Sequence, residues 1–578
     1  MSLPRCLTLA GCVLALGAGF VVFSPAQGAP ASSADDGRPT DSKLHPALLR
    51  LVDQTPDPVK AWVFFRDKGI RSQQEYDAAI QTVASAYNPR AIQRRLLRGK
   101  NARQGEPIFD KNDLPVVEAY VDAVAATGAR VRVTSSWVNA VSVYATREQL
   151  VQIAKLSCVT KLQPVARAAR CKLPVPEQPA TELFPSQSAG RSPTTIDYGN
   201  AQAQLAQINL IALHDAGYTG QGVIIGILDT GFRRSHEAFN QLTHPLNVIA
   251  EYDFVDNDGN TDIDPGDPSS QHNHGTMILG CLGAYKPGSL VGGAYDASFI
   301  LCKTEDTTAE YPAEEDNYVA GLQFIEANGA DMSTASLGYI DWYTQSDLDG
   351  QTAVTTIAVN ILTSHGVHHC NAAGNEYHDS NPTTSHLIAP ADAFQVITCG
   401  AVDSGGTIAS FSSDGPTADG RVKPEVLARG VSTHTVSPSS DTGYTTASGT
   451  SLSTPLVACA VACLVDAKPY WTVDQMRDYM FHTATDYVAN GTYDPLYIRG
   501  YGIVDAFAAY DTCSDAGIVT LDRTEYACQG TANILVNDCG LNLDDNAVEF
   551  VTVDIDSDSE TGVEQVTLTE TDPASAEF

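Results

Sequence analysis

Three short segments carry side chains that, brought together, would activate a serine hydroxyl. Gly226-Ile227-Leu228-Asp229-Thr230-Gly231 ends an apolar run on a carboxylate. His274-Gly275-Thr276 opens a helical run through Leu282. Ser448-Gly449-Thr450-Ser451-Leu452-Ser453-Thr454-Pro455 places a serine where an apolar helix starts. An unassisted serine hydroxyl is a poor nucleophile at neutral pH. It needs a base to take its proton and a carboxylate to fix the tautomer of that base. In the third segment Gly449 allows a sharp turn, Ser451 is held at a helix N-terminus, and Pro455 is expected in the first helical turn. Asp-Thr-Gly and His-Gly are weak signals alone; Gly-Thr-Ser-x-Ser-x-Pro is far more specific. His274 is preferred as the base over His236 and His272, because Gly275-Thr276 follow it and it begins a helix.

The elements needed to position these groups are present. From 197 to 511 short apolar runs alternate with helical ones. Val223 to Leu228, Ser298 to Cys302, Val367 to Ala372 and Gln395 to Gly400 read as buried strands. Residues 317–328, 352–365, 451–467 and 473–483 read as helices. That alternation predicts a doubly wound parallel sheet, with Asp229 at a strand's carboxyl end facing the crevice where such sheets bind ligands. Residues 58–170 predict a small α+β unit. Its strands lie at Val59 to Phe65, Arg130 to Val133 and Asn139 to Tyr144, and its helices at 113–127 and 147–156. Its basic cluster, Arg90, Arg94, Arg95, Arg98, Lys100 and Arg103, reads as a solvated helix and loop, since aromatic interleaving for nucleic acid is lacking. Residues 29–57 and the linker 171–196 read as flexible. Residues 513–578 are acidic with four alternating strands, as in part of a β-sandwich.

Composition narrows the setting. The 578 residues carry a formal charge of −34, which argues against a nucleic-acid partner. Residues 1–28 read as a signal peptide: Arg5, an apolar run from Cys6 to Phe23, and small residues at Ala26 and Gly28. Secretion, with no membrane attachment after cleavage, is the expectation. Thirteen cysteines, two in the leader, show no CxxC pair. Cys459 and Cys463 read as buried thiols, and Cys370 and Cys399 could meet only if their strands are neighbours. His368, His369 and Cys370 cannot converge on zinc, because adjacent strand residues point to opposite faces.

The order Asp, His, Ser is the one found in subtilisin, and the region from about Tyr198 to Tyr510 resembles a subtilase catalytic domain. Ala372-Ala373-Gly374-Asn375 resembles the family segment whose Asn donates to the oxyanion, and Ser336-Leu337-Gly338 the strand edge that pairs with extended substrate. Val291-Gly292-Gly293-Ala294 resembles a glycine turn entering a core strand. Residues 59–165 resemble the family's inhibitory propeptide, an α+β (ferredoxin-like) unit. Gln271-His272-Asn273, Leu452 and the His368-His369-Cys370 run depart from the usual pattern without removing a catalytic group.

The resemblance implies a secreted serine endopeptidase made as a self-processing precursor, with protein or peptide substrates and its own propeptide as partners. Asp229, His274, Ser451 and Asn375 would be catalytic. Ser336, Leu337, Gly338 and Glu376 would bind substrate, with Glu376 at the primary specificity pocket or simply solvated. No cofactor is required for the chemistry. Structural calcium is an expectation at Asp256, Asp258, Asp262, Asp264 and Asp267, where hard oxygen ligands cluster without EF-hand spacing. A dead protease fold used for binding or adhesion is the alternative, and it predicts loss of one of the four catalytic groups. A sedolisin-type peptidase predicts Glu in place of His274 and Asp in place of Asn375, so it fails.

Overall fold

Val59–Phe65 is a nearly continuous buried apolar run, and it forms the central strand of the first sheet. The computed structural model describes residues 40–55, 58–167, 196–307 and 314–512, with short pieces between 518 and 570. The leader and the linker fall outside the described residues. In the first sheet β1 (Val59–Phe65), β2 (Arg130–Ser135), β3 (Ala140–Ala145) and β4 (Val159–Pro164) run antiparallel in the order β2-β3-β1-β4. Helices between β1 and β2 and between β3 and β4 complete the β-α-β-β-α-β ferredoxin-like pattern. The predicted helix at 113–127 is shorter, Glu118–Ala125. Pro115 lies in the part that stays unwound, and the residue before a proline disfavours helix. The flexible reading of 29–57 fails from Thr40 onward. Pro46–Gln54 is a helix with proline in its first turn, and it packs Leu48 into the core of this sheet.

The larger sheet is all parallel. Its strands are β5 (Ile224–Asp229), β6 (Asn247–Asp253), β7 (Ser298–Lys303), β8 (Met332–Ala335), β9 (His368–Ala372), β10 (Ile397–Val402) and β11 (Val426–Arg429). In space they run β11-β10-β9-β8-β5-β7-β6. The winding direction changes beside β5, so the carboxyl ends of β5 and β8 open onto the crevice of a doubly wound sheet. Four helices matter to the site and its neighbours. They are α1 (Pro89–Arg98), α2 (Asn273–Gly283), α3 (Glu315–Ala327) and α4 (Thr450–Ala467). Helix α4 is apolar and long enough to cross a membrane, yet it is a core helix packed against α2 and strands β8 to β11.

The two α/β regions share one core. Trp62, Trp137, Ala140, Val165 and Ala166 pack in the same cluster as Leu322, Ile325 and Tyr343. The basic cluster is a correction: Arg94, Arg95 and Arg98 are buried, because α1 lies against the larger domain rather than in solvent. In the C-terminal segment, described by itself, Ile518–Leu521 pairs with Ile534–Asn537 and Phe550–Ile555 with Glu564–Thr569, both antiparallel.

Candidate active site

Asp229 is the last residue of β5 and is fully buried. Its Oδ1 accepts the Thr230 N–H at 2.7 Å and meets His274 Nδ1 at 2.7 Å. His274 is the second residue of α2, and the start of that helix presses on the turn after β5. A Cβ at Gly275 would lie 2.3 Å from the Gly231 carbonyl oxygen, so only glycine fits after the histidine. Burial resists charging the imidazole. The Asp229 charge and hydrogen bond, with Glu305 adding to them, outweigh it and hold the pKa above its ordinary value. With Nδ1 engaged, Nε2 is the remaining ring nitrogen, and it has no partner.

Ser451 is the second residue of α4, and it is fully buried. The preceding Gly449 has φ 148°, a backbone conformation that residues with a Cβ rarely adopt. Pro455 is the sixth helical residue rather than part of the first turn. Lacking an N–H, it cannot bond to the carbonyl of Ser451. The Ser336 hydroxyl donates to that carbonyl instead, at 2.8 Å, and Ser451 Oγ donates to the Ser336 carbonyl at 3.3 Å. Asn375 lies just beyond β9. Its Oδ1 accepts both the N–H and the hydroxyl of Thr450, each at 2.9 Å. That fixes the amide and leaves Nδ2 buried without a partner beside Gly449, whose Cβ position is 3.4 Å away. Ser451 and His274 Nε2 are not hydrogen-bonded. The helices that carry them, α2 and α4, pack on each other.

Ser336, Leu337 and Gly338 continue β8. The Leu337 carbonyl accepts from Asn371 Nδ2 at 3.1 Å, and a Cβ at Gly338 would meet Ile388 at 2.2 Å. Glu376 is exposed, and its backbone N–H donates to Ser413 Oγ at 3.0 Å. Approaching this side of the sheet is the end of the small domain. The Ala166 carbonyl accepts from the N–H groups of Glu314 and Glu315 at 3.2 and 3.3 Å. The Glu315 carboxylate receives Ala166 N–H, Trp62 Nε1 and Tyr343 hydroxyl bonds at 3.2, 3.1 and 2.7 Å. Burial still pushes that carboxyl up to about 7.

The acidic loop is organised around a lysine. Lys303 ends β7, next to Asp229 in the sheet, and its buried Nζ lies 2.8 Å from Asp253, 3.4 Å from Asp256, 3.3 Å from Asp264 and 2.9 Å from Asp267. Carboxylates of Asp253, Asp256 and Asp264 lie close enough together for one cation. An ammonium already supplies the positive charge there, so this donor set does not fit a resident calcium ion. Asp262 instead meets His272 Nδ1 at 2.6 Å, and Asp258 accepts the Asn260 N–H at 2.8 Å. His236 caps a short 3₁₀ turn at Glu237–Phe239. His369 meets Ser333 and Tyr318, while His368 is buried. Strands β9 and β10 are neighbours, but Cys370 and Cys399 remain free thiols, as do Cys459 and Cys463. Sequence reasoning missed Lys303, Glu305 and Glu315. The only local signal was a lysine closing an apolar strand opposite a run of aspartates.

A parallel sheet with a buried Asp–His pair and a helix-borne serine at its crevice defines a serine hydrolase. Residues 220–502 match the Subtilase family, and residues 60–179 match the Peptidase S8 propeptide domain, Bacteroidota. Subtilisin E of Bacillus subtilis (strain 168) is 33% identical over 306 residues, covering 53% of this chain and 70% of that one. Subtilisin of Bacillus pumilus is 32% identical over 306 residues, covering 53% and 97%. The fold resembles fervidolysin from Fervidobacterium pennivorans, a keratinolytic enzyme related to subtilisin. The TM-score is 0.54 and the identity 23%, over 73% of this chain and 66% of that one. The chain belongs to the subtilase family, as a subtilisin-like serine endopeptidase carrying an S8 propeptide domain.

Proposed function

We propose that the chain is exported, cuts itself in the linker between Ala169 and Asp197, and then hydrolyses internal peptide bonds of protein substrates through an acyl-enzyme. Ser451 Oγ attacks the carbonyl carbon while His274 Nε2 takes its proton. The same proton passes to the leaving amine, and water then hydrolyses the ester by the reverse proton path. Asp229 holds the imidazole in the tautomer that leaves Nε2 as acceptor, and stabilises the imidazolium. Asn375 Nδ2 and the Ser451 backbone N–H receive the developing oxyanion. The observation carrying this reading is the pair of bare groups, His274 Nε2 and Asn375 Nδ2, each fixed from its other side by Asp229 and Thr450. Substrate lies extended along Ser336 to Gly338 and is read mainly through its backbone, so sequence preference is broad. Glu376, exposed next to Asn375, favours a basic side chain at the adjoining subsite. Calcium plays no part at the Lys303 loop.

The test compares the full chain with Ser451→Ala for self-processing and for labelling by a fluorophosphonate. Only the parent chain matures and is labelled. Equal processing of both would remove Ser451 from this role.

A further inference from the structure

Helix α1 lies outside the four-stranded sheet of the propeptide domain and carries Arg90, Arg94, Arg95 and Arg98 into a recess of the peptidase domain. The side chains of Arg94, Arg95 and Arg98 are 1%, 1% and 2% exposed, and that of Glu326 is 0% exposed. Arg94 pairs with Glu326, and its fork also donates to the Ala330 carbonyl at 2.6 Å and the His365 carbonyl at 3.2 Å. Arg95 donates to both Glu326 oxygens at 2.9 and 3.1 Å, with the Tyr87 and Phe109 rings against its guanidinium. Arg98 reaches Asp331 at 2.8 Å, and Arg90 pairs with the same carboxylate and donates to the Gly222 carbonyl at 2.6 Å.

The recess is shaped for this helix. A Cβ at Gly329 would lie 3.1 Å from Arg90, and one at Gly366 2.9 Å from Arg98. Glu326 is next to last in α3, where a carboxylate opposes the helix dipole. Several of the donated bonds end on carbonyl oxygens that one planar guanidinium reaches together with the carboxylate. A lysine ammonium cannot reproduce that fork.

We propose that this recess is an arginine-reading docking site of the peptidase domain, and that residues 87–98 occupy it both before and after the linker is cut. It is a second anchor, separate from the tail at Val165 and Ala166. This rests on the reading that the small domain becomes a separate piece. The cleaved propeptide then stays bound through α1, and its hold is sensitive to arginine identity rather than to charge alone.

The full chain carrying Ser451→Ala, with a recognition sequence for an added site-specific protease inserted between 176 and 190, tests this without using the chain's own activity. Failure of self-processing in the parent therefore leaves the result untouched. After the cut, the two pieces co-elute on size exclusion. Arg94→Lys with Arg95→Lys weakens their affinity about 100-fold or more, because an ammonium keeps the charge but cannot reach Glu326 and the Ala330 and His365 carbonyls together. Arg90→Gln, at a side chain 42% exposed, weakens it only a few-fold. Thermal melting of the uncut variants verifies folding, and if the double variant does not fold, Arg98→Gln is read instead, with a loss of about tenfold or more. Pieces that part at once, or a folded lysine variant binding as tightly as the parent, would overturn the proposal.

Discussion

Ser336 and Ser451 hold each other through two hydrogen bonds that share no atom, each hydroxyl donating to the other residue's carbonyl. The stronger of the two satisfies a carbonyl that Pro455 leaves without a helical donor. Ser336→Ala strands that buried oxygen, at a cost of about 1–3 kcal/mol. The expected result is a melting temperature lower by several degrees and a kcat about tenfold lower, with KM little changed. Steady-state kinetics and calorimetry check both.

Asn375→Ala removes a donor whose orientation Thr450 fixes. The loss should fall on kcat, by about 100- to 1000-fold, with little effect on KM. Thr450→Val, which removes the hydroxyl donor to Asn375 Oδ1 but keeps the backbone one, should cost less than the deletion.

If His274 is the general base as proposed, its raised pKa should set the acid limit of activity. The imidazole acts as a base only when neutral, so the acid limb of kcat/KM should lie above the ordinary 6.5. Glu305→Gln removes one of the charges that raise it, and should move the limb to lower pH. The same protonated pair stabilises the fold below the unfolded imidazole pKa, and that contribution fades as pH rises through the folded one.

Glu315 makes propeptide docking depend on pH in the opposite sense from an exposed carboxylate. Burial pushes its carboxyl from the ordinary 4.5 up to about 7, against hydrogen bonds from Tyr343, Ala166 and Trp62 that lower it, and docking is expected to take up a proton. Affinity should fall as pH climbs from about 4.5 to 7. Titration calorimetry on the cut Ser451→Ala chain should show tighter binding at pH 5 than at pH 8, and Glu315→Gln should flatten the difference.

Lys303 predicts how the acidic loop answers to metal. Chelator should leave the melting temperature of the parent unchanged through this loop. Lys303→Ala strands Asp253 and its neighbours, lowering stability by about 3 kcal/mol or more. Millimolar calcium should recover part of that loss in the variant only.

The residues proposed as catalytic stand out in the sequence because each sits where an element begins or ends. Asp229 closes a strand, His274 and Ser451 open helices, Gly275 marks a close approach that a Cβ would block, and Gly449 a φ of 148° that residues with a Cβ rarely adopt. The arginines of α1 were misread because their burial comes from a second domain more than 200 residues away along the chain, and local sequence carries no sign of such a cover. Lys303 was missed for a related reason. Its four partners lie 36 to 50 positions earlier, and periodicity cannot show that their carboxylates converge on one ammonium. Pro455 was placed one turn early: even counted from Ser451 it is the fifth helical residue, and with Thr450 as the first it is the sixth.

Helix α3 touches the propeptide domain at both extremities: Ala166 at Glu314 and Glu315, and the guanidinium groups of Arg94 and Arg95 at Glu326. Its 13 residues span about 20 Å. A rod gripped at two points resists twisting as well as pulling, so severing the connecting chain loosens one grip and leaves the other. If the chain cuts itself as proposed, latency should outlast the cut.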